Sequence, residues 1–250
     1  MRPYLTTPRL TLRPFADTDA DLDLVVDLDS DPEVMRYLTG GRPMTRTEIR
    51  ADSFARMLRT YPVGGFWATH LRDTGEFLGW HCLRRFGDAP PRSADLGYRL
   101  RRSAWGRGYA TEGSLALIEK GFTELGLDRI TANTMYVNAP SRKVMERCGL
   151  SYTRTYFEEW AEPVEGAEHG EVEYVLTKDE WAGTPGPRRV VGRPTDHPNH
   201  ADHADRLDHA DRVERLNHPD HTDRWDHADH PDRWGHSNHP DHPDHPGTGG

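Results

Sequence analysis

Two glycines, Gly106 and Gly108, flank Arg107 in the run RRSAWGRGYATEG at residues 101–113. An alternating stretch precedes them and a helical pattern follows. A helix that starts there leaves its first backbone N–H groups free and presents the positive end of its dipole. Without a Cβ, glycine lets an anion approach those donors closely. The chemistry this suggests is a cradle for a phosphate or pyrophosphate, built from the backbone of Gly106, Arg107, Gly108, Tyr109 and Ala110. Arg107, with Arg101 or Arg102, could add charge. An ordinary glycine turn joining a strand to a helix fits the same residues. The run is not a P-loop, because no Lys-Ser/Thr pair follows at the required place. It is not a dinucleotide fingerprint either, because the third glycine is missing.

The loop needs a strand before it and a helix after it, and the sequence supplies both. Residues 93–100 (SADLGYRL) read as a strand, and residues 109–125 as a helix with Leu115, Leu117, Ile118, Phe122 and Leu125 apolar and Gly126 at its end. Upstream, residues 9–15 alternate Leu10 and Leu12 with Thr11 and Arg13, which predicts a strand closed by Pro14. Residues 17–31 predict a helix with Asp17 or Thr18 as N-cap, and Pro32 breaks it or opens a second piece. Residues 45–60 predict an amphipathic helix, started by a Thr45–Glu48 capping box, with Ile49, Phe54, Met57 and Leu58 on one face. Residues 65–86 read as two strands joined at Asp73-Thr74-Gly75. Further on come a strand at 129–137, a short helix at 141–150, strands in SYTRTYFEEW and EVEYVLT, and a terminal helical turn at 177–181. This order implies a mixed α/β (α+β) fold: one largely antiparallel sheet flanked by helices, with a single helical crossover between residues 100 and 129.

Composition divides the chain. Residues 1–182 carry a normal mix of side chains and form one expected domain. Residues 183–250 are mostly Asp, His, Pro, Arg and Ala, hold twelve of the fifteen histidines, and contain no Lys, Ile, Met, Phe or Tyr. From Thr195 to His245 they divide into 17 triplets, twelve of them x-Asp-His or x-Asp-Arg. So few apolar groups cannot offset the entropy of ordering, so the expectation is a disordered tail, with weak metal binding as the sharper reading. Of the formal net charge of −9, −5 falls in this tail and −4 in the domain. That argues against a general nucleic-acid binder. Only two cysteines occur, Cys82 and Cys148, and no CxxC spacing suggests a metal. The N-terminus has no apolar h-region and no stretch is long enough to span a membrane, which makes the cytoplasm the default compartment.

The runs LGYRLRRSAWGRGYATEG and NAPSRKVMERCGL, about 26 residues from the end of one motif to the start of the next, resemble the core of the GNAT superfamily of acetyl-CoA-dependent N-acetyltransferases. TPRLTLRPF and EVEYVLTKDEW are similar to the RimJ/RimL branch, which acetylates ribosomal-protein N-termini. The resemblance spans roughly residues 5–181. It implies acetyl-CoA as co-substrate, no required metal, and coenzyme contacts from Trp105, Gly106, Arg107, Gly108, Tyr109, Ala110, Asn138 and Ser141. The acceptor it implies is a primary amine, with a protein N-terminal α-amine leading and an amino sugar or polyamine as the small-molecule alternative. A coenzyme-binding sensor without catalysis is a third possibility, and the oligomeric state is either monomer or homodimer.

The reaction is attack of an amine on a thioester, so a base must take a proton and something must steady the leaving thiolate. Many relatives place a tyrosine acid where this chain has Met145, which cannot donate, and Gln or Arg where it has Ser103. Ser141, three residues after Asn138, is then the candidate for the thiolate, unless it only caps the following helix. Asp95, on the strand before the loop, and Glu112, in the first turn of the helix, are candidate bases. Asp95 could instead be a solvated strand residue, and Glu112 a complement to the helix dipole. His70 and His81, on predicted strands, read more naturally as hydrogen-bonded core or rim residues, and Cys148 as packing.

Overall fold

The structure, a computed structural model, describes residues 3–183 apart from 62, 86–89, 158, 159 and 161–163. The triplet repeat lies outside the described residues. The strands are β1 (Leu5–Thr6), β2 (Leu10–Pro14), β3 (Gly64–Leu71), β4 (Phe77–Arg84), β5 (Ser93–Leu100), β6 (Arg129–Met135), β7 (Ser151–Tyr156) and β8 (Glu171–Thr177). The helices are α1 (Asp19–Asp29), α2 (Pro32–Met35), α3 (Arg46–Ile49), α4 (Ala55–Leu58), α5 (Tyr109–Thr123), α6 (Ala139–Arg147) and α7 (Lys178–Gly183). The strands form one sheet in the order β1-β2-β3-β4-β5-β6-β8-β7. Every neighbouring pair is antiparallel except β5 and β6, which are joined by the α5 crossover. The expected mixed α/β architecture is therefore present.

Alternation along the strands builds a core on each face. One face gathers Leu12, Leu83, Leu96, Ile130, Ala132 and Tyr174 beneath Leu117, Ile118 and Phe122 of α5 and Met145 of α6. The other gathers Phe66, Ala68, Trp80 and Cys82 beneath Leu22, Val25 and Leu28 of α1 and Phe54 and Met57 of the next helical segment. Central strand β4 is buried along its whole length because both of its faces are covered. A bulge opposite Thr69 and His70 skips Leu78, so Phe77 and Trp80 face the same core although three residues apart. Gly79 sits there with φ +136°, and a Cβ would lie 2.1 Å from the Arg99 carbonyl oxygen. No larger residue fits.

Local signals mostly act as the sequence implies. Thr18, rather than Asp17, caps α1 through its side chain, and Pro32 opens α2 behind an Asp31 cap. The Thr45–Glu48 capping box is complete. The helix it starts is not uniform. Arg50–Phe54 widen into a π-helical turn between α3 and α4. Ile49 and Phe54 are five residues apart, which suits the i→i+5 turn and lets both reach the core.

One buried ion pair ties the helical layer to β5. Arg99 Nη1 lies 2.6 Å from Asp29 Oδ1, with side-chain exposures of 8% and 0%. Arg99 also lies over the Trp80 ring at 5.3 Å. Removing one partner strands a buried charge, which typically destabilises by about 3–5 kcal/mol. Asp29→Ala should lower the unfolding free energy by about that amount in urea denaturation. A loss below about 1 kcal/mol would mean the pair behaves like a surface bridge.

Candidate active site

β5 and β6 share only three register pairs: Ser93 with Arg129, Ala94 with Ile130, and Asp95 with Thr131. Beyond them β5 continues to Leu100 paired with β4, and β6 continues to Met135 paired with β8. The two strands therefore part at their carboxyl ends, where open α/β sheets receive ligands. Each strand then leads into a helix, α5 or α6, so two helix N-termini follow the diverging ends.

The loop after β5 makes a short 3₁₀ turn over Arg102–Ala104 and is pinned by Trp105, whose indole N–H donates to Leu100 O at 2.7 Å. Gly106 and Gly108 have φ of +70° and +80°, a left-handed backbone that favours glycine. A Cβ on Gly106 would meet nothing within 4 Å, so its outer side is open, and α5 starts without a side-chain cap. This is the geometry of an anion cradle.

The structure adds a residue that sequence reasoning missed. Arg9, just before β2, donates from Nη1 to Arg107 O at 3.0 Å, and its guanidinium stacks over the Tyr109 ring at 4.5 Å. Its Nε meets Glu112 Oε2 at 2.6 Å, and its backbone N–H donates to Glu112 Oε1 at 2.9 Å. Thr7 Oγ1 donates to the same Glu112 oxygen at 2.5 Å. Burial raises the pKa of Glu112, but the bonds from Thr7 and Arg9 outweigh it and hold the carboxyl below its ordinary range. Glu112 is thus an anchor between the β1–β2 corner and the start of α5, with three donors on its two oxygens. Of the two readings considered for it, these contacts fit the structural one.

The second wall begins at the end of β6. Asn138 caps α6, with Oδ1 accepting from Ser141 N at 3.3 Å and Nδ2 donating to Thr134 Oγ1 at 3.1 Å. The capping role considered for Ser141 belongs to Asn138. Ser141 Oγ instead lies 3.1 Å from the hydroxyl of Tyr98, which also donates to Ser141 O at 3.0 Å. Tyr98 was not among the expected site residues. Its place in the row Ala94, Leu96, Tyr98, Leu100 was the available signal: one polar tip in an apolar stripe. Met145, at the position of the relatives' tyrosine, is 2% exposed and belongs to the core.

Asp95 lies on the opposite face of β5, at the last pair before the strands part. Its Oδ1 accepts from Thr131 Oγ1 at 3.3 Å and Asn133 Nδ2 at 3.2 Å. Arg36, at the end of α2, grips both oxygens of Glu165 at 2.8 and 2.5 Å and so joins two stretches distant in sequence.

The histidines take structural places. His81 is fully buried, with Nδ1 2.8 Å from Thr69 Oγ1 and Nε2 3.3 Å from Ala110 O. Burial lowers its pKa to about 4, so it is neutral. It lies directly under α5, where a Cβ on Gly113 would come within 2.5 Å of Nε2. His70 packs edge-on against Phe77, and burial lowers its pKa too. Burial pushes the thiols of Cys82 and Cys148 up to about 11 and about 12. Among the described residues no cluster of His, Cys, Asp and Glu could hold a metal, and no helix is long and apolar enough to cross a membrane.

A sheet parted between two helix N-termini, with a glycine cradle at one of them, is a site for an anionic ligand. Comparison with known proteins gives its class. The acetyltransferase (GNAT) domain family matches residues 9–151. An FsC-acetyl coenzyme A-N(2)-transacetylase of Aspergillus fumigatus is 36% identical over 188 residues, covering 72% of this chain and 78% of that protein. An uncharacterized N-acetyltransferase, p20, of Bacillus licheniformis is 32% identical over 182 residues, covering 72% and 98%. The crystal structure of an acetyltransferase from Agrobacterium tumefaciens is 26% identical with a TM-score of 0.55, covering 70% of this chain and 95% of that one. The chain belongs to the GNAT acetyltransferases, and it is an acetyl-CoA-dependent N-acetyltransferase.

Two measurements check this site. Gly108→Val places a branched side chain at a left-handed position 3.4 Å from the Arg9 guanidinium. It should weaken acetyl-CoA binding by at least about tenfold, a loss of roughly 1.4 kcal/mol. Unchanged affinity by calorimetry in the folded variant would remove the cradle. The second concerns pH. His81 has a pKa of about 4 when folded and about 6.5 when unfolded, so the unfolded chain binds the extra proton between those values. Its contribution is complete above pH 6.5 and is lost as the pH falls toward 4. From pH 7 to pH 5 this amounts to about 2 kcal/mol. In urea denaturation at both pH values, His81→Gln should shrink the difference by about that much.

Proposed function

We propose that this enzyme transfers acetyl from acetyl-CoA to an α-amino-type primary amine, with a protein N-terminus as the leading acceptor. The observation behind this reading is Asp95 at the point where β5 and β6 part, hydrogen-bonded by Thr131 and Asn133 and facing away from α5. The nearby histidines are committed to the core, so a single carboxylate serves as the base, directly or through a water. A weak base of this kind suits an amine of modest pKa. An α-amino group titrates near 8, against about 10.4 for an alkyl ammonium such as lysine. The resemblance of the N- and C-terminal motifs to the RimJ/RimL branch supports a protein N-terminus.

In this reading the backbone donors of Gly106–Ala110 and the start of α5 hold the pyrophosphate of acetyl-CoA. Trp105 holds the loop in shape, and Asn138 and Ser141 bring α6 against the thioester end. The amine attacks the carbonyl carbon while Asp95 accepts its proton. The C–S bond then breaks, and Ser141 Oγ–H hydrogen-bonds the departing thiolate, which receives the proton lost by the amine. Holding both substrates in one cleft supplies a further large part of the rate.

The Aspergillus fumigatus relative, named for an N(2) transfer, favours a second reading in which the α-amine belongs to a small molecule. Thiol release from acetyl-CoA with a panel of tripeptides, amino-acid amides, a polyamine and an aminoglycoside separates the two. Turnover on tripeptides supports the first reading. Turnover confined to small α-amines supports the second, and turnover confined to the polyamine or aminoglycoside overturns the α-amino assignment. Asp95→Asn should lower kcat by about 10²-fold, within the usual range for a general base, and leave KM for acetyl-CoA within twofold. A kcat near wild type would remove Asp95 as the base.

A further inference from the structure

We propose that Tyr98 is a positioning residue that acts on the leaving thiolate through Ser141. This rests on the reading of Ser141 given above. The structure gives the Tyr98 hydroxyl two hydrogen-bond partners, and both are atoms of Ser141: its carbonyl oxygen at 3.0 Å and its Oγ at 3.1 Å. The phenol thus joins β5 to the first turn of α6 in the stretch where β5 has lost β6 as a neighbour, since the last shared pair is Asp95 with Thr131. Its ring packs beside His81, with centroids 6.2 Å apart, in a stripe whose other members, Ala94, Leu96 and Leu100, are apolar. A leucine or phenylalanine would fill that stripe as well. The hydroxyl is what those residues lack.

The consequence for Ser141 follows from counting protons. Asn138 already caps the helix, so the serine hydroxyl is released from that duty. Tyr98 has one proton: when it goes to the Ser141 carbonyl oxygen the serine hydroxyl donates to the phenol oxygen, and when it goes to Oγ the serine becomes the acceptor. When Tyr98 donates to Oγ, the serine's own hydrogen is left for a third partner, and donation into Oγ strengthens that outgoing hydrogen bond. Burial raises the phenol pKa, so Tyr98 keeps its proton throughout. No proton is transferred along the pair. The C–N bond forms, the C–S bond breaks with its electrons on sulfur, and the amine's proton, passed through Asp95, ends on sulfur. The Tyr98–Ser141 pair fixes the direction of one hydrogen bond to that sulfur.

The test is a double-mutant cycle on the full chain: Tyr98→Phe, Ser141→Ala and the double variant. Each is assayed with acetyl-CoA and the fastest acceptor of the panel above. Calorimetric acetyl-CoA affinity and thermal midpoint are measured alongside. Tyr98→Phe keeps the ring and should lower kcat by about tenfold, the scale of one net hydrogen bond. Acetyl-CoA affinity should stay within twofold. In the Ser141→Ala background the same change should have no effect beyond twofold, because the residue it acts through is gone. A reduction of equal size in both backgrounds would show that Tyr98 acts by another route and overturn the proposal. If Ser141→Ala lowers kcat but Tyr98→Phe does not, the proposal fails while the Ser141 reading stands. If Ser141→Ala leaves kcat within twofold, the reading beneath the proposal fails. Should Tyr98→Phe not fold, Tyr98→Met, which matches the apolar neighbours, takes its place in the cycle.

Discussion

The parting of β5 from β6 after three residue pairs is the constraint on which the rest of the site depends. Two adjacent parallel strands cannot be joined by a hairpin, so a crossover helix must connect them. That connection is α5, and packing it on the sheet sets its N-terminus just beyond the end of β5. The same geometry sends β6 into α6. Both helices therefore begin on the side where the strands diverge; α5 starts without a side-chain cap and offers free N–H groups, whereas the first N–H groups of α6 are taken up by Asn138 and the preceding turn. The start of α5, with the glycine loop before it, is where the fold leaves donors free for an anion.

Strands that part leave backbone groups without a ladder, so other contacts must hold each strand. β5 is fixed by six register pairs with β4, and by the Arg99–Asp29 ion pair on the α1 side. β6 is fixed by seven pairs with β8. On the α5 face Tyr98 spans from β5 to α6, so the opening has a defined width at that level. Arg9 and Thr7 do the corresponding work at the cradle: through Glu112 they fasten the first turn of α5 to the β1–β2 corner. The charged residues nearest the cradle thus serve its shape first. Gly106 and Gly108 supply the left-handed turns that make the shape possible.

What was legible in the sequence was local. The glycine loop, the strand before it, the helix after it, the Thr45–Glu48 box and the Asp73-Thr74-Gly75 turn are each specified by residues within one turn of one another. What was not legible joins distant positions. Glu112 meets Arg9 across 103 residues, and Tyr98 meets Ser141 across 43. No spacing rule connects such pairs, so the anchoring contacts of Glu112 could not be foreseen. Ser141 looked like a possible cap because Ser is a good one. Asn138, one helical turn earlier, takes the position instead, and only the direction of the chain leaving β6 decides between them. The π-helical turn at Arg50–Phe54 was missed for a different reason. A five-residue spacing of apolar residues lies within the noise of a 3.6-residue pattern, and the core resolves it.

The distribution of polar groups over the two faces of β5 bears on the direction of the reaction. Alternation puts Asp95 and Tyr98, three residues apart, on opposite sides of the sheet. The carboxylate is on the α1 side, beside Thr131 and Asn133. The phenol is on the α5 and α6 side, beside Ser141. The base proposed above and the Ser141 hydroxyl thus lie on opposite faces of the sheet. A mechanism with a covalent acetyl-enzyme would need a nucleophilic side chain between them. Cys82 and Cys148 are buried, and burial raises both thiols well above neutral pH. Thiols held protonated in the core are poor nucleophiles. Neither thiol is therefore placed to carry the acetyl group, and the proposed direct attack is the route that uses the opening between β5 and β6, whose sides the Tyr98 bridge and the Arg99–Asp29 pair hold.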